Sequence, residues 1–233
     1  MTQLIFDLAR RTTYQRPDFL VSDGNRKAVE WIDRWPLWPS AAIVLHGPPG
    51  CGKTHLAHLW RQRAFATLLS GEALTEAVLP ALLEHSLLRI AVDDADRAST
   101  RALLHIYNSC VERRGSLFFT ARSEPDRWPS MLADLRSRLR AAIVIGVGVP
   151  DDALLGAVLA KHFAERQIRV SPGVIAYLIS RMERSFAAAG LLAARLDDAA
   201  LSAGTSVTVA LARRILPELG HPSSPSGSES AVT

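Results

Sequence analysis

The octapeptide Gly47-Pro48-Pro49-Gly50-Cys51-Gly52-Lys53-Thr54 constrains this chain more than any other stretch of it. It satisfies G-x-x-x-x-G-K-[ST] in full. Its flanks are those the motif needs, with the apolar run Ala42–His46 before it and a helix-compatible run, 55–63, after it. Glycines in such a loop let backbone N–H groups turn inward around phosphate oxygens, and the N-terminus of the following helix adds partial positive charge. On that chemistry Lys53 reaches the β- and γ-phosphates of a nucleotide, and the Thr54 hydroxyl takes a place around Mg²⁺. The candidate nucleotide contacts are therefore Gly47, Pro48, Pro49, Gly50, Cys51, Gly52, Lys53, Thr54 and the adjoining His55. Cys51 reads as a small loop filler, although a helix N-terminus there tends to lower a thiol pKa. His55 and His58 lie one turn apart, but the sequence places no third ligand near them, so they read as a helix face rather than a metal pair.

A second segment completes the site. Residues 87–94, Leu-Leu-Arg-Ile-Ala-Val-Asp-Asp, form an apolar strand ending in two carboxylates. Beside a phosphate loop, Asp93 is the candidate for the Mg²⁺ shell, and Asp94 the candidate to orient or deprotonate a water.

Short apolar runs at 42–46, 65–69, 87–92, 116–120 and 142–147 are separated by enough chain for helices, a pattern that predicts βαβ units and a parallel sheet. The strands stop after Pro150. Asp151-Asp152 predicts a cap for a helix carrying Leu155, Leu159 and Phe163. Ser171-Pro172 predicts the start of a second helix, 186–202 a third, and Thr208 the cap of a fourth. The expected organisation is an extended segment over 1–12, an α/β nucleotide-binding domain over 13–149, an all-α lid over 150–218 and a polar, disordered tail over 219–233.

Apolar residues are 48% of the chain, enough for a substantial core, and the formal net charge of +4 permits nucleic-acid contact without arguing for it. Two cysteines make neither a disulfide framework nor a four-ligand zinc site, so a reduced cytoplasmic setting is expected. The longest uncharged apolar run, 141–150, falls short of the roughly 20 residues a spanning helix needs. Asp7 and the Arg10-Arg11 pair after it do not suit a signal peptide. No membrane partner is expected.

Several segments together resemble the AAA+ domain of the replication initiator DnaA, and more closely its stand-alone Hda-type relatives in the form seen in α-proteobacteria. Phe19, Val21 and Asn25 resemble the segment that lies over the adenine. Leu117-Phe118-Phe119-Thr120 resembles the strand ending in the sensor 1 residue, which implies that role for Thr120. Leu135-Arg136-Ser137-Arg138-Leu139 resembles the family's L-[KR]-S-R-[FL] motif, whose second arginine, here Arg138, is the arginine finger. Val149-Pro150-Asp151 resembles the entry into the lid. Gln3-Leu4-Ile5-Phe6-Asp7-Leu8 resembles the peptide with which Hda proteins hold the sliding clamp, through Gln3, Leu4, Phe6 and Leu8.

The resemblance implies an AAA+ P-loop core with a five-stranded parallel sheet and a small helical lid, binding ADP or ATP with Mg²⁺. It further implies a regulator of replication initiation that is tethered to the DNA-loaded clamp, and so to DNA only indirectly. Such a regulator stimulates ATP hydrolysis by DnaA with Arg138 supplied in trans. The family's sensor 2 arginine has no counterpart, because Ala188 holds its place, with Arg181 and Arg184 in the preceding turn; its own hydrolysis is expected to be weak. Neither the initiator's DNA-binding domain nor its helicase-recruiting domain is expected beside the lid. Whether the chain associates with itself stays open. An ATP-dependent DNA-binding loader, similar to helicase loaders or transposition helpers of the same fold, is the alternative reading.

Overall fold

Five strands without interior charge, apart from the Arg89 and Asp93 ends of the third, need both faces covered, and the helices between them supply that cover. The computed structural model describes residues 20–84, 86–129 and 131–219. The segment 1–12, Phe19 and the polar tail beyond 219 lie outside them. The order is α1 (Arg26–Arg34), β1 (Ala42–His46), α2 (Lys53–Ala64), β2 (Thr67–Ser70), α3 (Leu79–Leu83), β3 (Arg89–Asp93), α4 (Thr100–Glu112), β4 (Ser116–Ala121), α5 (Ala133–Arg140) and β5 (Ile143–Gly146), then α6 (Asp152–Glu165), α7 (Pro172–Ile179), α8 (Phe186–Ala203) and α9 (Val209–Leu219). All strand pairs are parallel, and the sheet order is β2-β3-β4-β1-β5.

Alternation along the strands sends successive side chains into two cores. Val44, Ile90, Val92, Leu117 and Phe119 pack with Leu103, Ile106, Leu135 and Leu139 of α4 and α5. Ile43, Leu45, Ala91, Phe118 and Ile145 pack with Ile32, Leu56 and Trp60 of α1 and α2. Trp60 is the centre of the second core. Its ring stacks on Phe118 at 5.3 Å and on Trp38 at 5.4 Å, and meets Trp35 edge-on at 6.3 Å.

The chain divides into two compact units, Met1–Val149 and Pro150–Thr233. The second has its own core of Leu159, Phe163, Leu178, Leu192 and Leu196. Its helix starts follow the sequence signals: Leu154 N–H donates to Asp151 Oδ1 at 2.7 Å, and Leu211 N–H donates to Thr208 Oγ1 at 3.2 Å. No helix among the described residues is long and apolar enough to cross a membrane.

Two expectations shift. The second strand begins at Thr67 rather than residue 65, because α2 runs to Ala64 and Phe65 closes it in a left-handed turn with φ 51°. Between β2 and β3 the helix is only five residues, Leu79–Leu83, preceded by two 3₁₀ turns at Gly71–Ala73 and Glu76–Val78.

Because Trp60 is fully buried among three aromatic rings, Trp60→Ala is expected to destabilise the α/β unit by about 3–5 kcal/mol, the range for emptying a large aromatic site. Urea unfolding followed by far-UV circular dichroism measures this.

Candidate nucleotide site

The loop between β1 and α2 is shaped by close backbone approach. Gly52, at the helix N-cap, has φ 97°, a conformation that only glycine adopts without strain. A Cβ on Gly47 would lie 2.2 Å from the Val147 carbonyl oxygen. The Lys53 side chain is buried and turned into the loop, donating to Gly47 O at 2.8 Å and Pro48 O at 2.9 Å, with Cys51 Sγ at 3.8 Å. Its charge is thus held inside the loop, where carbonyl dipoles balance it. Cys51 is buried, and burial pushes its thiol pKa up despite the opposing pull of Lys53. Burial also lowers the His58 pKa, with Arg61 adding to the effect.

The sheet order brings the acidic residues to this loop. β4 lies between β1 and β3, and Thr120 near its end is in register with Leu45. The Thr54 hydroxyl donates to Asp93 Oδ2 at 2.8 Å. The buried Thr120 hydroxyl donates to Asp93 Oδ1 and accepts from Asp94 N–H at 2.9 Å. Asp94 takes a left-handed conformation, φ 54°, with the Gly71 position so close that a Cβ there would lie 2.0 Å from Asp94 O. Thr54, Asp93, Asp94 and Thr120 therefore form one hydrogen-bonded group at the mouth of the phosphate loop. A hydroxyl beside a carboxylate is the hard-oxygen donor set that Mg²⁺ takes when it also binds phosphates.

The segment that the family resemblance sets over the base forms a tight turn ahead of α1. Asn25 is buried, and both ends of its amide serve the backbone: Oδ1 accepts from Ser22 N–H at 2.9 Å, and Nδ2 donates to Leu20 O at 3.0 Å. Its side chain closes a turn rather than facing outward. Val21 is exposed in that turn, and Gly148 N–H donates to Gly24 O at 3.0 Å, anchoring the turn beyond the end of β5.

Arg138 stands apart from this group. It lies in the last turn of α5, three residues before the segment leading into β5, and so at the opposite end of the parallel strands from the loop. Its Nε donates to Asp134 Oδ1 at 3.0 Å, and its guanidinium lies 5.9 Å from the Tyr107 ring centre, with the side chain 36% exposed. The Tyr107 hydroxyl also donates to Arg138 O at 3.2 Å. Tyr107 and Asp134 went unread in the sequence; an acidic residue four positions before an arginine on a helix was the available signal for Asp134. Arg140 pairs with Asp126 at 3.1 Å, away from Arg138.

In the lid unit Ser185 caps α8, accepting from Ala188 N–H at 3.1 Å, so Ala188 sits in the first turn as the motif spacing implies. Arg184 pairs with Asp152 at 2.6 Å, and Arg181 stacks 4.1 Å from the Tyr177 ring centre. Both are engaged within the lid.

The sheet order, the loop and the acidic strand end together define a P-loop α/β protein of AAA+ fold. Comparison with solved structures agrees. Domain III of the Thermotoga maritima replication initiation protein DnaA superposes with a TM-score of 0.77 at 16% identity, covering 90% of this chain and 98% of that one. DnaA bound to AMPPCP and single-stranded DNA gives 0.68 at 17% identity, covering 88% and 69%. The Thermotoga maritima RuvB Holliday junction branch migration motor gives 0.69 at 16%, covering 84% and 68%. The chain spans 61% of the length of another match, a DNA replication initiation factor. Neither protein-family models nor curated protein sequences give a match.

The raised Cys51 pKa means less thiolate at neutral pH than a free cysteine carries. Iodoacetamide labelling of Cys51 in the folded protein at pH 7.5 is therefore expected to be much slower than in urea, as peptide mass mapping will show.

Proposed function

We propose that this protein binds an adenine nucleotide with Mg²⁺ and acts on a neighbour's nucleotide rather than its own, as a trans-acting regulator of replication initiation. The observation that carries this reading is the position of Arg138. β1 spans five residues between the end where α5 delivers Arg138 and the end where the phosphate loop begins, roughly 15 Å at about 3.3 Å per residue. That span exceeds the reach of an arginine side chain, which supports a role for Arg138 on a phosphate presented by another molecule.

In this reading Lys53 and the loop amides hold the protein's own nucleotide, ADP or ATP. Thr54 and Asp93 hold its Mg²⁺, which neutralises phosphate charge when bound, and Asp94 is the group placed to orient a water. Thr120 keeps Asp93 and Asp94 in register. Ala188 stands at the start of α8, where the family's motif carries its sensor 2 arginine, and Arg181 and Arg184 are engaged within the lid, which supports weak hydrolysis of its own. Arg138 stabilises the charge that develops on the phosphoryl group of ATP held by DnaA, an effect of about 10³–10⁵ in rate. Gln3, Leu4, Phe6 and Leu8 tether the protein to the sliding clamp on DNA, which raises its concentration near newly replicated DNA. Hydrolysis leaves the initiator in its inactive ADP form.

The test is hydrolysis of labelled ATP preloaded on DnaA, with clamp loaded on DNA. The protein is expected to stimulate it. Arg138→Ala should lose about 10³-fold of the stimulation while still binding ADP, whereas Lys53→Ala should lose nucleotide binding itself. No stimulation by folded, nucleotide-bound protein overturns the proposal in favour of a DNA-binding loader, for which salt-dependent DNA binding is the next measurement.

A further inference from the structure

The end of the α/β unit opposite the phosphate loop carries exposed apolar side chains ahead of four of its strands. Phe65 precedes β2, Leu87 precedes β3, Val111 lies in the last turn of α4 ahead of β4, and Leu37 lies ahead of β1. In the sheet these four strands are consecutive neighbours, so the segments that enter them form one row at this end, about three strand spacings, roughly 14 Å, across. Phe65 and Leu37 are 89% and 84% exposed.

Phe65 is the most informative of them. It occupies a left-handed helix C-cap, φ 51°, where glycine or asparagine is the ordinary residue, and packing within the unit does not offset that cost. The row is also braced from below. Arg89 donates to Ala64 O at 2.9 Å and stacks 5.1 Å from the Trp35 ring centre, and Trp35 Nε1 donates to Ser116 Oγ at 3.2 Å. The four segments are thus held to one another by buried and half-buried contacts while their apolar tips stay outside.

Charge on this end is net positive. Arg34, Arg61, Arg63, Arg113 and Arg114 are exposed around the row, against Asp33, Glu84 and Glu112, with Arg63 reaching Asp33 at 3.9 Å. We infer that this end of the unit is a docking surface for an acidic protein segment bearing apolar side chains. The arginines select the charge, and the row of Leu37, Phe65, Leu87 and Val111 takes the apolar groups. Three of the four apolar residues are aliphatic and give a nucleic-acid base nothing to stack on, which favours a protein over a single strand. A second copy of this chain in a two-fold contact would set arginine against arginine. The inference stands apart from the reading of Arg138, and its test does not use ATP hydrolysis.

The experiment measures fluorescence anisotropy of a labelled amphipathic peptide of Glu and Leu, with the full chain as titrant. A Glu/Ser peptide and a Lys/Leu peptide are the controls. The Glu/Leu peptide is expected to bind about tenfold or more tightly than either control. Phe65→Asn combined with Leu37→Ser, and separately Arg61→Gln combined with Arg114→Asn, should each weaken that binding by about the same factor. ADP affinity should stay unchanged, which reports an intact fold; the asparagine replacements suit the left-handed backbone at positions 65 and 114. Equal binding of all three peptides, or binding untouched by both double variants, overturns the inference. So does tighter binding of an oligo-dT strand with the same residue dependence, or concentration-dependent dimerisation that the Phe65→Asn/Leu37→Ser pair abolishes.

Discussion

The placement of β4 between β1 and β3 governs this structure. Without it the phosphate loop and the acidic strand end would belong to adjacent strands, and no third side chain would stand between them. With it, Thr120 occupies the gap, and its single hydroxyl is used twice, as donor to Asp93 and acceptor from Asp94 N–H. A buried hydroxyl with both capacities filled is fixed in orientation. Asp93 is therefore aimed at Thr54, and Asp94 is held in a backbone conformation that most residues avoid. Parallel pairing also directs every strand's C-terminal end to one side. The chemistry collects there, as it does in open α/β sheets generally.

Much of this was legible in the sequence because each feature depends on local rules. The loop motif specifies its own strand and helix, and Asp93-Asp94 announces the end of an apolar run. Asp151 and Thr208 cap the helices their positions imply. What escaped depends on contacts between distant segments. Asn25 bridges Leu20 and Ser22 within its own turn, an arrangement that side-chain type does not reveal. Phe65 reads as the first residue of an apolar strand, yet α2 extends to Ala64 and forces it into the cap. Nothing in the sequence marks Tyr107. Its contact with both the carbonyl and the guanidinium of Arg138 follows from the packing of α4 beside α5.

The two ends of the strands also differ in how tightly their residues are committed. At the loop end, Lys53, Thr54, Asp93 and Thr120 are all hydrogen-bonded to one another or to backbone. At the other end, Arg138 is only partly covered, and its pair with Asp134 is a half-exposed i,i+4 contact of the kind worth a few tenths of a kcal/mol, about 0.3–0.5. So weak an interaction contributes little to stability, but it restricts a side chain that carries about 2 kcal/mol of rotamer entropy when free. Tyr107 restricts it from a second direction. For the proposed role of meeting a phosphate across an interface, such an arrangement meets part of the ordering cost before contact, and the weak pair with Asp134 is easily exchanged for a stronger, bidentate one with phosphate. A deeply buried ion pair at the same place would hold the guanidinium too firmly to be exchanged, and a fully solvated arginine would arrive disordered.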